Sequence, residues 1–198
     1  ADTYLALGLL LPVILWRPRV AAMLLVAALI ATAITHSIKP LLDVLRPPAV
    51  LPADSMYLIG HKLSHKSFPS GHATTAFVLA GLIITGLRLR LSLTIVTLGF
   101  ASVLAISRLA VGVHWPTDIL AGSVIGLLSV LLGNRLLDRY WTRLRDARWA
   151  PPTGIVVTGI CALSAPWFDV GYPLGIWANW AVAWLGLWSL LLLSLIHI

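Results

Sequence analysis

Between the basic turn Arg17-Pro18-Arg19 and Lys39 the chain runs for 19 residues, Val20 to Ile38, without a lysine, arginine, aspartate or glutamate. At 1.5 Å per residue a helix of that length covers about 28 Å, close to the ~30 Å hydrocarbon core of a bilayer. Apolar and polar residues do not alternate along it, so a barrel strand does not fit and a membrane helix does. The same kind of run recurs at Tyr4–Trp16, Ala73–Leu87, Leu91–Ile106, Ile119–Leu132, Gly154–Phe168 and Leu174–Ile198. Tyr4–Trp16 and Gly154–Phe168 are short for a full crossing. Only 11% of the 198 residues are charged, whereas a soluble domain carries about 25%. The expected fold is therefore all-α, a polytopic bundle of membrane helices forming one integral membrane domain over residues 1–198, with no internal repeat and no low-complexity linker. The first run has no basic region before it and no small-residue cleavage site, so it is not expected to be a cleaved signal peptide. The single cysteine, Cys161, lies in an apolar run and excludes an intramolecular disulfide and a multi-cysteine metal site.

A net charge of +7 could point to nucleic acid. In a membrane chain the location of the charges matters more than their sum. If each run crosses once, Arg17, Arg19, Arg88, Arg90 and the five arginines between Arg135 and Arg148 share one face, with Asp138 and Asp146 as its acids. The stretch Asn134–Trp149, which holds those five, reads as an amphipathic interfacial segment. Lys39, Arg46, Lys62, Lys66 and Arg108 occupy the opposite face. The positive-inside rule places the arginine-rich face in the cytoplasm. The loops 39–71 and 108–118 are then expected to meet on the outer side, and no nucleic-acid partner is expected.

Three polar clusters project to that outer side. Lys39 and Arg46 are seven residues apart, two helical turns, and share a face if the segment is helical. Pro40 predicts a kink or a fresh helix start there. Taken alone, the pair reads more readily as two snorkelling cations. In the second cluster, Phe68-Pro69-Ser70-Gly71-His72 opens directly into an apolar run. A helix N-terminus carries unpaired N–H groups and partial positive charge, which suits an anion. The third is Ser107-Arg108, then His114, then Asp118, with Pro116 and Thr117 marking a helix start. Asp118 is placed to accept from one nitrogen of His114 and fix its tautomer. Together, three cations, two histidines, one carboxylate and a Ser-Gly helix start suit a phosphate monoester or a diphosphate. One histidine, held by the aspartate, can attack phosphorus while the other protonates the leaving oxygen. The side chains supply the positive charge, so no metal and no cofactor is expected.

These residues, Lys39-x6-Arg46-Pro47, Pro69-Ser70-Gly71-His72 and Ser107-Arg108-x5-His114-x3-Asp118, resemble the three motifs of the type 2 phosphatidic acid phosphatase superfamily. The resemblance covers residues 39 to 118, with the motifs intact and in order. It implies a six-helix phosphatase core with extra C-terminal helices, the motif-bearing part lying at about residues 20–137. It also implies that His114 is the nucleophile of a phosphohistidine intermediate, that Asp118 orients it, and that His72 is the general acid. Lys39, Arg46, Ser70, Gly71 and Arg108 would bind the phosphate. The implied function is hydrolysis of a lipid phosphate among membrane lipids, at the outer face of a bacterial inner membrane. Undecaprenyl diphosphate is the first substrate expected; phosphatidylglycerophosphate, phosphatidate and lipid A 1-phosphate are alternatives. A non-catalytic phospholipid-binding or transport protein would keep the cations but would not need His114 and Asp118.

Other residues read as structural. His61 and His65 are four apart but lack a third metal ligand and sit among lysines. His36, one turn before Lys39, reads as a supporting group. Asp43 is expected to pair with Lys39 or to be solvated. Trp177, Trp180, Trp184 and Trp188 form a stripe for lipid or helix contact.

Overall fold

The computed structural model describes residues 17–52 and 63–145 and, near the C-terminus, helical residues 180, 181, 183, 184, 187, 188 and 191. The expectations for Tyr4–Trp16, His61, Lys62, Cys161, Gly154–Phe168 and Trp177 lie outside the described residues. Five helices follow one another within 17–145: α1 (Pro18–Leu42), α2 (Pro47–Val50), α3 (Gly71–Leu87), α4 (Leu91–Ala110) and α5 (Pro116–Arg145). The described residues contain no strand. Three helical stretches, Arg19–Val50, Leu91–Ala110 and Pro116–Trp141, are long and apolar enough to cross a membrane, and Gly71–Leu87 is a shorter apolar helix. The chain is a multi-pass membrane protein.

Two compact units divide the chain, residues 23–136 and residues 1–22 with 137–198. In the second, Arg19 pairs with Asp138, and Trp180, Trp184 and Trp188 are exposed on a helix, as lipid-contacting side chains would be. The first unit carries all three motifs.

Small residues hold that unit together. Ala73, Phe77 and Ala80 of α3, Ala101 and Ala105 of α4 and Ile119 of α5 form one buried cluster. Between α3 and α5 the approach is backbone to backbone. A Cβ on Gly122 would lie 2.5 Å from the Ser70 carbonyl oxygen, and one on Gly126 would lie 2.5 Å from the Thr74 carbonyl oxygen. Lipid tails are as apolar as leucine, so membrane helices gain by close van der Waals contact, which glycines four apart permit. The glycine pair thereby sets the start of α3 against the start of α5, where two of the motifs lie. The Ser70 N–H completes the junction by donating to the Asp118 carbonyl oxygen at 3.0 Å. By contrast α4 leaves Ile95, Val96, Phe100 and Val103 exposed, a lipid-facing surface. Its Thr97 and Ser102 hydroxyls donate to carbonyls four residues back, so no polar group needs water there.

Two features differ from the sequence expectation. The apolar run Ile119–Leu132 and the segment from Asn134, expected as an amphipathic interfacial segment, belong to one helix: α5 continues unbroken through Gly133 to Arg145. The arginines interrupt the hydrophobicity but not the helix propensity, and nothing in the segment breaks a helix. Near the first motif, α1 runs through Pro40 and ends at Leu42, and Asp43 takes a positive φ of 37°. Lys39 and Arg46 are therefore not two turns apart on one helix.

Candidate active site

The end of α1 at Leu42 sets the geometry of the first motif. Residues 44–46 run beside 64–67, with the Ser67 N–H donating to the Val44 carbonyl at 2.9 Å and the Arg46 N–H to the Ser64 carbonyl at 2.9 Å. Both cations then turn onto the neighbouring carbonyls. Lys39 Nζ donates to Lys66 O at 3.0 Å, and Arg46 Nε donates to His65 O at 3.0 Å. The two charges lie close enough to repel each other, and Lys39 also lies in the field of Asp118. So the motif's cations do converge, through a loop clamp rather than a helical face. Asp43 pairs with His65 at 3.2 Å instead of with Lys39. His36 is exposed and its Nδ1 bonds to the Thr32 carbonyl of its own helix at 3.1 Å.

At the third motif Pro116 opens α5, and Asp118 is in its first turn. The Asp118 carboxylate reaches back to accept from the Trp115 N–H at 2.8 Å, the reverse half of a capping box. That cap also directs Oδ2 at His114 Nδ1, 3.2 Å away, with both side chains buried. The indole N–H of Trp115 donates to Leu45 O at 2.8 Å, anchoring the loop to the segment that carries Arg46. Arg46 Nη1 then donates to Val113 O at 3.0 Å and points at His114 Nε2 at 3.3 Å. A guanidinium has only donors, so Nε2 presents its lone pair and Nδ1 carries the hydrogen towards Asp118. Burial pushes the His114 imidazole below its ordinary range; the Asp118 hydrogen bond opposes this and the Arg46 charge adds to it.

At the second motif Ser70 caps α3, its Oγ accepting from the Ala73 N–H at 3.4 Å. Ser70 is fully buried. Gly71 is different: a Cβ there would meet no atom within 4 Å, so its Cα borders open space. His72 lies beside it, in the field of Arg108, His114 and Arg46. Lys39, Arg46, Asp118, His114, His72 and Arg108 are thus interconnected through hydrogen bonds or mutual fields, with Ser70 and Gly71 at the adjoining helix start. Among the described residues no cluster of three or more His, Cys, Asp or Glu side chains is arranged to hold a metal.

One member of the site has no counterpart among the sequence expectations. Ser67 is fully buried, and its hydroxyl donates to Asp118 Oδ2 at 2.5 Å and lies 3.4 Å from His114 Nδ1. It stands two residues before Pro69, where the second motif begins, and in the sequence it is one more serine in a polar, proline-containing loop.

The PAP2 superfamily model matches residues 20–142. The chain belongs to the PAP2 superfamily. Among curated PAP2 relatives, it is 34% identical over 139 residues to a lipid A 4'-phosphatase of Bacteroides thetaiotaomicron, covering 64% of this chain and 61% of that protein. It is 34% identical over 94 residues to a putative undecaprenyl-diphosphatase of Escherichia coli, covering 42% and 46%. It is also 34% identical over 134 residues to a bacitracin transport permease protein of Bacillus licheniformis, covering 65% and 62%. In each case the chain spans less than two thirds of the relative's length. The crystal structure of Aquifex aeolicus LpxE superposes with a TM-score of 0.56 at 27% identity, covering 67% of this chain and 81% of that one. The PAP2 match contains the three motifs in full.

Proposed function

We propose that this PAP2 protein hydrolyses a membrane lipid phosphate or diphosphate at the extracytoplasmic surface through a phosphohistidine on His114. The observation that carries the reading is the state of His114: backed by Asp118 at Nδ1, it presents an Nε2 lone pair to the Arg46 guanidinium. A phosphoryl group bound by Arg46 would meet that lone pair. In the first step Nε2 forms a bond to phosphorus as the lipid P–O bond breaks; His72, whose titration burial and the Arg108, His114 and Arg46 charges lower to about 4, takes up a proton once the negative charge of the bound phosphate offsets those cations, and gives it to the leaving oxygen. In the second, water attacks phosphorus, the P–N bond breaks, His72 recovers a proton and inorganic phosphate leaves. Lys39, Arg46 and Arg108 neutralise the equatorial oxygens, and the Gly71 backbone with the α3 N-terminus forms the cradle. Residues 20–137 would form the catalytic core of one integral membrane domain.

Undecaprenyl diphosphate is the substrate we assign first, on the charge bias that turns the site outward from a bacterial inner membrane. The relative named for lipid A supports a lipid A phosphate as the second reading. Purified protein in detergent, assayed with each lipid in the presence of EDTA, tests the proposal. Phosphate release that survives the chelator and disappears in a folded His114→Ala variant is expected. Lipid binding without turnover would make the chain a binding or transport protein instead.

A further inference from the structure

His114 is addressed at both ring nitrogens from one pair of segments. Arg46, on 44–46, faces Nε2 at 3.3 Å. Ser67, at the end of 64–67, faces Nδ1 at 3.4 Å. The two segments are joined by the Ser67 N–H to Val44 O and Arg46 N–H to Ser64 O bonds, so the positions of the two side chains are coupled.

A hydroxyl has one hydrogen and two lone pairs. Ser67 commits its hydrogen to Asp118 Oδ2 at 2.5 Å, the shortest of the three contacts that oxygen receives; the Trp115 N–H is at 2.8 Å and His114 Nδ1 at 3.2 Å. What Ser67 turns toward His114 is therefore a lone pair. A lone pair repels an unprotonated Nδ1 and accepts from a protonated one. Asp118, acting alone, could pivot about its remaining oxygen: Oδ1 is buried and has no hydrogen-bond partner among the described residues. Together with the Trp115 N–H, the serine bond fixes which oxygen faces the imidazole.

We propose that Ser67 is a positioning residue for this reaction: it clamps Asp118 Oδ2 and accepts from His114 Nδ1–H, holding the tautomer in which Nε2 attacks. The proposal rests on the assignment of His114 as nucleophile, and one of its two tests does not depend on turnover.

The first test is imidazole 15N NMR of the detergent-solubilised protein at pH 7.5, with His114 assigned by its loss in His114→Gln. The wild type is expected to show Nδ1–H with an unprotonated Nε2, and Ser67→Ala a mixture of tautomers. The second is kinetics with undecaprenyl diphosphate. Ser67→Ala should lower kcat at least tenfold, leave KM within about twofold, and move the acid limb of the kcat/KM profile to higher pH, since the unclamped carboxylate is a stronger acceptor for the imidazolium. Ser67→Thr, which keeps the hydroxyl, should recover most of kcat. If Ser67→Ala does not fold, the comparison passes to Ser67→Cys, whose weak thiol donor should give the same tautomer mixing. An unchanged tautomer in a folded variant lacking the hydroxyl overturns the proposal, as does an unchanged kcat and pH profile. If the wild type hydrolyses no lipid phosphate, the functional reading fails while the NMR comparison still decides the role of Ser67.

Discussion

Arg46 Nη1 lies 3.3 Å from His114 Nε2 while the same nitrogen donates to the Val113 carbonyl at 3.0 Å. The cation proposed to hold the phosphate is thus fixed to the loop that carries the proposed nucleophile. A phosphoryl oxygen entering the site can take over the guanidinium donor now pointed at Nε2, which frees that lone pair as the substrate arrives. In the proposed mechanism, binding and exposure of the nucleophile become one event.

Arg46→Lys keeps the charge but loses the fork that reaches His65, Val113 and His114 together. Loss of a preorganised donor of this kind lowers turnover by about 10²–10³-fold. Steady-state phosphate release should show that drop in kcat/KM; a lysine variant within threefold of wild type would refute the clamp.

The low position of the His114 titration sets the sign of the pH dependence. Burial is its largest cause, with the Arg46 charge acting in the same direction and the Asp118 hydrogen bond opposing. The imidazole is then neutral and nucleophilic throughout the pH range above its ordinary value of about 6.5. The acid limb of kcat/KM is expected below pH 6.5, with activity falling as His114 gains a proton. A limb centred above that value would contradict the assignment.

Asp118→Asn removes the charge opposite Nδ1 while keeping the shape. An amide can present either its NH₂ or its oxygen to the ring, so tautomer control is lost, and kcat should fall by about 10²–10⁴-fold. Trapping with 32P-labelled substrate should show less phosphohistidine at early times.

Gly71 and Gly126 should respond oppositely to alanine. At Gly71 the new methyl meets open space, so the protein should fold normally but bind inorganic phosphate or vanadate several-fold more weakly. At Gly126 the methyl would lie 2.5 Å from Thr74 O, and forcing α3 and α5 apart costs about 1–3 kcal/mol. Thermal unfolding in detergent, read beside phosphate inhibition constants, separates the two.

The orientation predicts that, in a Cys161-free background, cysteine at Leu89 reacts with a membrane-impermeant thiol reagent only from the cytoplasmic side. Cysteine at Leu63 should react only from outside. The reverse pattern would turn the site inward.

The apolar runs, the charge bias between loops and the three motifs are legible in the sequence, because bilayer thickness, helix rise and the chemistry of phosphate act on residues one at a time or at short spacing. The Asp118–His114 contact belongs to this group, since four residues at a helix start bring the two side chains together locally. What the sequence left open depended on backbone path. Lys39 and Arg46 share a site because the chain leaves the helix after Leu42 and pairs with 64–67, which no helical spacing expresses. The importance of Gly122 and Gly126 appears only when α3 lies against them. Ser67 reaches Asp118 from 51 residues away; its hydroxyl has the same chemistry as that of any loop serine, and only tertiary packing selected it, by burying it beside a carboxylate with one hydrogen to give.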